Sequence, residues 1–119
     1  MRVINLNQKL QLFSEQWTPK IIGELNGQHV KLAKIQGDFI WHSHENEDEL
    51  FYVLKGQLFM DFRDRTEELN PGDMIIVPKG VEHKPRTTEE VHIMLFEPMS
   101  TLHTGNVRSE RTKTRLDEI

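Results

Sequence analysis

Short apolar runs, each closed by a turn signal, succeed one another along this chain. Beyond residue 38 the runs are 39–44, 49–54, 57–62, 74–77 and 91–96. Lys55-Gly56, Asn70-Pro71-Gly72-Asp73 and Pro78-Lys79-Gly80 stand between them, and residues of these types supply turns. Many short strands separated by turns fold as an all-β sandwich or barrel. Upstream, residues 20–25 and 28–36 read as two more strands. Asn26-Gly27 joins them as a hairpin, because both residues tolerate positive φ. Leu6, Leu10 and Phe13 lie at helical spacing behind Asn5, a good N-cap, which predicts a short N-terminal helix; strand spacing fits part of the same stretch.

The 119 residues suit one domain, 1–119, with a barrel core at about 20–98. Residues 101–119 form an extended tail with little apolar content, expected to wrap the barrel, swap onto a partner or stay disordered. The basic stretch 108–115 reads as part of that solvated tail. There is no cysteine, hence no disulfide and no thiolate ligand, which agrees with a reducing compartment. The first five residues lack the apolar core of a signal peptide, and no apolar run reaches membrane-span length. The expectation is a soluble, cytoplasmic protein with no membrane association. A net charge of −4 argues against nucleic acid, where a basic face supplies most of the affinity. Residues 50–54 and 74–77 are apolar on both faces, as in strands buried on both sides. In a small barrel one side is the interior. The other needs a second sheet or a second subunit, which motivates a homodimer.

Four residues carry metal-binding chemistry: His42, His44, Glu49 and His83. Residues two apart on a strand point the same way, so the imidazoles of His42-Ser43-His44 share one space. Glu49 opens the next apolar run, and His83 follows the Pro78-Lys79-Gly80 turn. Taken singly, each has an ordinary reading: a surface strand histidine, a solvated charge in an acidic loop, a turn residue. Together, three imidazoles and a carboxylate suit one divalent first-row metal: Mn, Fe, Co, Ni, Cu or Zn. Structural zinc sites are closed and usually rich in cysteine. A His3Glu set leaves positions open on a metal taking five or six ligands, which favours catalysis.

These residues resemble the two motifs of the cupin superfamily. The first reads Gly37, four residues, His42-Ser43-His44, four residues, Glu49, six residues, Gly56. The second reads Gly72, five residues, Pro78-Lys79-Gly80, two residues, His83. Fifteen residues separate Gly56 from Gly72, a short spacing like that of small microbial members. Two positions depart from the pattern: Gly37 stands one residue nearer the first histidine than is usual, and Thr87 occupies a place often held by Asn. The resemblance implies a jelly-roll β-barrel, open at one end, with His42, His44, Glu49 and His83 as ligands to a metal inside.

Parity then assigns the walls. If Glu49 faces inward, so do Phe51 and Val53, and Ile40 shares the face of His42 and His44. Met60 and Phe62, with Met94 and Phe96, are further wall candidates. His92 lies on the alternation of Met94 and Phe96 and is expected to be a satisfied or exposed histidine rather than a ligand. His29 is expected to be a partly exposed strand residue. The functional expectation is a metalloenzyme acting on a small organic molecule, of dioxygenase, isomerase or lyase type. The alternative is a non-catalytic small-molecule sensor. A storage or structural role is less expected from one short barrel that keeps all four ligands.

Overall fold

The computed structural model describes residues 1–107 and 115–119. One short helix, α1 (Leu6–Leu10), precedes seven strands: β1 (Lys20–Leu25), β2 (Gln28–Asp38), β3 (Glu49–Lys55), β4 (Leu58–Phe62), β5 (Thr66–Leu69), β6 (Met74–Val77) and β7 (His83–Pro98). All ladders between these strands are antiparallel. The expected all-β architecture with an N-terminal helix is what forms. Among the described residues no helix is long and apolar enough to cross a membrane.

The Asn26-Gly27 hairpin forms as read. Both residues have positive φ, 49° and 76°, the backbone a tight two-residue turn requires. Asn5 caps α1 through its side chain, which accepts from the Gln8 amide at 2.9 Å. The helix is shorter than the apolar spacing allowed. It ends at Leu10 with Gln11 as its C-cap, and Phe13 packs on the same cluster as Leu10 from beyond the helix.

β7 is the strand on which the barrel turns. Its C-terminal half lies between β2 and β3, while its N-terminal half lies between the end of β2 and β4. One chain segment thus belongs to both sides of the barrel. The sequence reading placed only 91–96 in this strand, because His83-Lys84-Pro85-Arg86 and Thr87-Thr88-Glu89-Glu90 carry no apolar run. Their alternation is present nonetheless: His83, Pro85 and Thr87 are buried and their neighbours are not. β5 went unread for the same reason. Among the described residues this short, charged strand pairs only with β4, and charge on an exposed edge discourages further pairing.

The interior is filled from β2, β3, β4, β6 and β7, by Ala33, Ile35, Phe51, Val53, Leu58, Met60, Val77, Val91, Ile93 and Leu95 among others. Each fully buried aliphatic side chain contributes about 2 kcal/mol. These residues fix the strands that carry the site. Register corrects the expected inward positions of Met94 and Phe96. Phe51 stands opposite Leu95 and Val53 opposite Ile93, and paired residues share a face, so Ile93 and Leu95 point in with Phe51 and Val53. Met94 points out and packs with Leu6, Leu10, Phe13 and Leu32 beneath α1. Met60 and Phe62 belong to the inner core as expected.

The expected strand at 39–44 is replaced by a bulged segment. The Phe39 amide donates to the Pro85 carbonyl and the His42 amide to the His83 carbonyl. Three residue steps on one side answer two on the other, which leaves one residue extra. That extra residue breaks the parity argument for Ile40, and Phe39 lines the interior instead.

The tail wraps the barrel where it is described. Asn106 exchanges two hydrogen bonds with Ser43: its amide donates to the Ser43 carbonyl, and its side-chain oxygen accepts from the Ser43 amide, both at 2.9 Å. The Ile21 amide donates to the Asp117 carbonyl, and the Ile119 amide donates back to Ile21. The basic stretch 108–115 lies, apart from Arg115, outside the described residues.

Candidate metal centre

Backbone pairing brings the four residues of the sequence reading together. His42 and His83 exchange both amide-to-carbonyl hydrogen bonds, at 3.0 and 2.9 Å. Residues paired in this way project side chains from the same face. His44 follows His42 by two residues in extended chain and is held by the Gly80 amide, which donates to its carbonyl at 2.7 Å. The acidic run is more than a loop, since Asp48 accepts from the Lys79 amide at 2.9 Å and ties the Pro78-Lys79-Gly80 turn beside the site. Gly80 has a φ of 82°, the left-handed backbone glycine adopts without strain. Glu49 opens β3 opposite Val77. The outcome is a buried group of His42, His44, Glu49 and His83 whose ligand-capable atoms lie within 4.8 Å of one another. Donors on opposite sides of one transition metal stand about 4.2 Å apart, so the group is close to the size of a single-ion site.

Hydrogen bonding sets the imidazole tautomers. Nδ1 of His42 lies 2.9 Å from the Ile40 carbonyl, and Nδ1 of His83 lies 2.9 Å from the Val81 carbonyl. A carbonyl only accepts, so each Nδ1 carries a proton and each Nε2 is the atom turned towards the group. Burial lowers the His42 pKa to about 4, with the neighbouring His83 adding to the effect, so that ring is neutral at pH 7. Burial alone would raise Glu49. Its contacts with Glu97, His44 and His83 outweigh it and hold the carboxylate well below its usual range. Its Oε1 lies 3.2 Å from His44 Nε2 and 3.5 Å from His83 Nε2. Nε2 of His83 and Nδ1 of His44 are buried without a hydrogen-bond partner among the described residues. Leaving such a nitrogen unpaired costs about 1–3 kcal/mol, and a cation bound at His83 Nε2 would remove that cost there. A neutral His42 imidazole, one ionised carboxylate and an orphaned nitrogen are what a divalent transition metal needs.

An apolar cavity opens beside this group. His42 and Glu49 stand in its wall with Trp17, Phe39, Phe51, Ile93, Leu95 and His103, and among the described residues neither lysine nor arginine lines it. Trp17 stacks on Phe39 with centroids 4.6 Å apart and planes 8° from parallel. Its backbone has a φ of 59°, unusual for a bulky residue. Two hydrogen bonds hold it there: its amide donates to Lys34 and its indole N–H to Gln36, both to carbonyls at 2.9 Å.

Sequence reasoning missed four residues of this region. Trp17 and His103 come from segments with no periodicity and reach the cavity only through tertiary folding. Lys31 and Glu97 form a fully buried ion pair at 2.8 Å. Burial drives the Glu97 carboxyl well above its usual range, the charge on Glu49 drives it further, and Lys31 only partly opposes this. Their signal was available: Lys31 shares the alternation of Ala33 and Ile35, and Glu97 that of Ile93 and Leu95. His92 lies on the opposite alternation, half-buried and 3.0 Å from Glu90, a satisfied histidine as expected. His29 is buried rather than partly exposed, and it stands outside the four-residue group.

A family model described as Cupin domain matches residues 28–97. A solved structure of a cupin-2 domain containing protein from Shewanella frigidimarina is 48% identical, covers 81% of this chain and 94% of that one, and superposes with a TM-score of 0.80. Among curated proteins, the uncharacterized protein YdbB of Bacillus subtilis is 43% identical over 67 residues, 56% of this chain and 59% of its own length. An acireductone dioxygenase of Yarrowia lipolytica is 35% identical over 88 residues, 67% of this chain and 49% of its own length. The chain thus spans less than two thirds of either curated relative.

Proposed function

The chain belongs to the cupin family, and from that premise we propose that it is a mononuclear metalloenzyme of dioxygenase type acting on a small, uncharged organic molecule. The observation that carries the proposal is the buried His42, His44, Glu49 and His83 group, with an orphaned nitrogen, opening onto an apolar cavity. His42, His44, Glu49 and His83 would hold one divalent transition metal. Such a metal supplies Lewis acidity, and for a redox-active ion dioxygen chemistry, to a substrate held beside it. Phe51, Leu95, Phe39 and Trp17 exclude water and give an apolar body its surface. Among the described residues no lysine or arginine lines the cavity to pair with a phosphate, which favours a substrate other than a sugar phosphate. The similarity to an acireductone dioxygenase supports an oxygen-dependent reaction.

The test is to load metal-free protein with each of Mn, Fe, Co, Ni, Cu and Zn and to screen enediols, catechols and diketones for oxygen uptake. Uptake that vanishes in His44→Ala is expected. Full activity in that variant would falsify the proposal, and tight binding without turnover would favour the sensor reading.

The assembly proposed is a homodimer, in a cytoplasm whose reducing conditions suit a chain without cysteine. α1 covers the outer face of the β1–β2 side, where it packs on Ile22, Leu32 and Met94. The β6 end of that face is left open: Met74 and Ile76 are 57% and 53% exposed, beside Leu50, Tyr52 and Phe96. Among the described residues β6 is also the edge strand of the sheet, and a second copy would cover both.

A further inference from the structure

Lys31 and Glu97 are among the most deeply buried side chains of the described residues, with 1% and 0% of their side chains exposed. Lys31 sits on β2 and Glu97 on β7, and both face the barrel interior. Nζ of Lys31 donates to Oε1 of Glu97 at 2.8 Å. The other oxygen, Oε2, is buried and receives no N–H donor. Leu50 of β3 pairs with Phe96 of β7, which sets Glu49 and Glu97 side by side at the end of that ladder, both buried.

Burying an ion pair is a poor way to stabilise a barrel. The desolvation of both charges roughly cancels their attraction, and apolar replacements are often neutral or stabilising. The location of this pair is therefore informative. Glu49 turns the single oxygen Oε1 toward His44 and His83. A carboxylate in a large apolar interior would otherwise be free to rotate that oxygen away. We propose that Lys31 and Glu97 are positioning residues: Lys31 anchors Glu97, and Glu97 holds the Glu49 carboxyl so that Oε1 faces the three imidazoles. This rests on the metal reading of the site. Residues of this kind, one contact behind a ligand, typically change metal affinity by about 10–100-fold.

The test measures Zn2+ and Co2+ affinity by competition with a chromophoric chelator, the Co2+ visible spectrum, and thermal stability. In Lys31→Met/Glu97→Met both charges go and the volume stays. The expected result is a melting temperature equal to or above wild type, a metal affinity about 10–100-fold lower and an altered Co2+ spectrum. Glu97→Gln keeps the shape and an acceptor for Lys31 and offers its amide N–H to Glu49, and should hold affinity within about threefold of wild type. Glu97→Asp keeps the charge and shortens the reach. It should lose about tenfold or more in affinity while folded, and it decides the question if the double variant does not fold. Wild-type affinity and spectrum in the double variant, or in Glu97→Asp, would overturn the inference and leave the metal site standing. Wild-type protein that binds neither ion would overturn both.

Discussion

Replacing Gly105 by alanine tests whether the segment after β7 builds the site or merely covers it. A methyl group at this position collides with the Ser43 carbonyl oxygen and comes within 2.9 Å of Cδ2 of His42. The backbone there also has a φ of 59°. Two costs follow. Left-handed backbone costs a non-glycine residue about 1–2 kcal/mol. Overpacking against backbone, which cannot swing aside as a side chain can, adds about 1–3 kcal/mol. A loss of about 3 kcal/mol lowers the melting temperature of a domain this size by about 12 °C. The strain can be relieved only by moving His42 or by releasing the Asn106 contacts with Ser43, so metal affinity should fall as well. Gly27→Ala is the control. It has a φ of 76° but nothing within 4 Å of the added carbon, so it bears the backbone cost alone. Thermal denaturation and metal titration of the two variants separate the effects. The reasoning fails if Gly105→Ala melts no lower than Gly27→Ala, or binds metal as wild type does.

Three further outcomes are expected. Metal-free protein should lose stability as pH falls. The unfolded His42 side chain titrates near 6.5 and the folded one near 4, so the unfolded state binds the extra proton first. His83, His44 and Glu49 face the same ring. The effect of His42 alone is on the order of 3 kcal/mol, present above pH 6.5 and lost towards pH 4; a flat denaturation midpoint across that window would contradict it. Ile76→Lys should convert a dimer into a monomer by sedimentation analysis at micromolar concentration, and a wild-type monomer would dispose of the dimer. Trp17→Ala removes the stack on Phe39 and should cost about 1–3 kcal/mol while raising the binding of a hydrophobic dye; unchanged dye binding would show that Trp17 does not close the cavity.

What could be read from the residues depended on whether local pattern or distant pairing controlled them. The hairpin at Asn26-Gly27 and the cap at Asn5 are local, and both formed as read. His42 and His44 share a face by alternation alone. Glu49 and His83 entered through motif spacing, and the structure brings their side chains into the same group. Errors arose where pairing between strands decides. One extra residue between Phe39 and His42 voided the parity of Ile40. Register against β3, invisible in one sequence, reversed the faces of Met94 and Phe96. Lys31 and Glu97 were passed over because a charged strand residue is ordinarily at the surface. Only the apolar neighbours two positions away mark them as inward.

The most direct measurement is the metal content of protein purified without chelator, by mass spectrometry, for wild type and His83→Ala side by side. One divalent transition metal per chain in the wild type and a small fraction of that in folded His83→Ala is expected. Wild type that holds no metal even after reloading, or His83→Ala that keeps a full equivalent, would contradict a cation held by three imidazoles and one carboxylate.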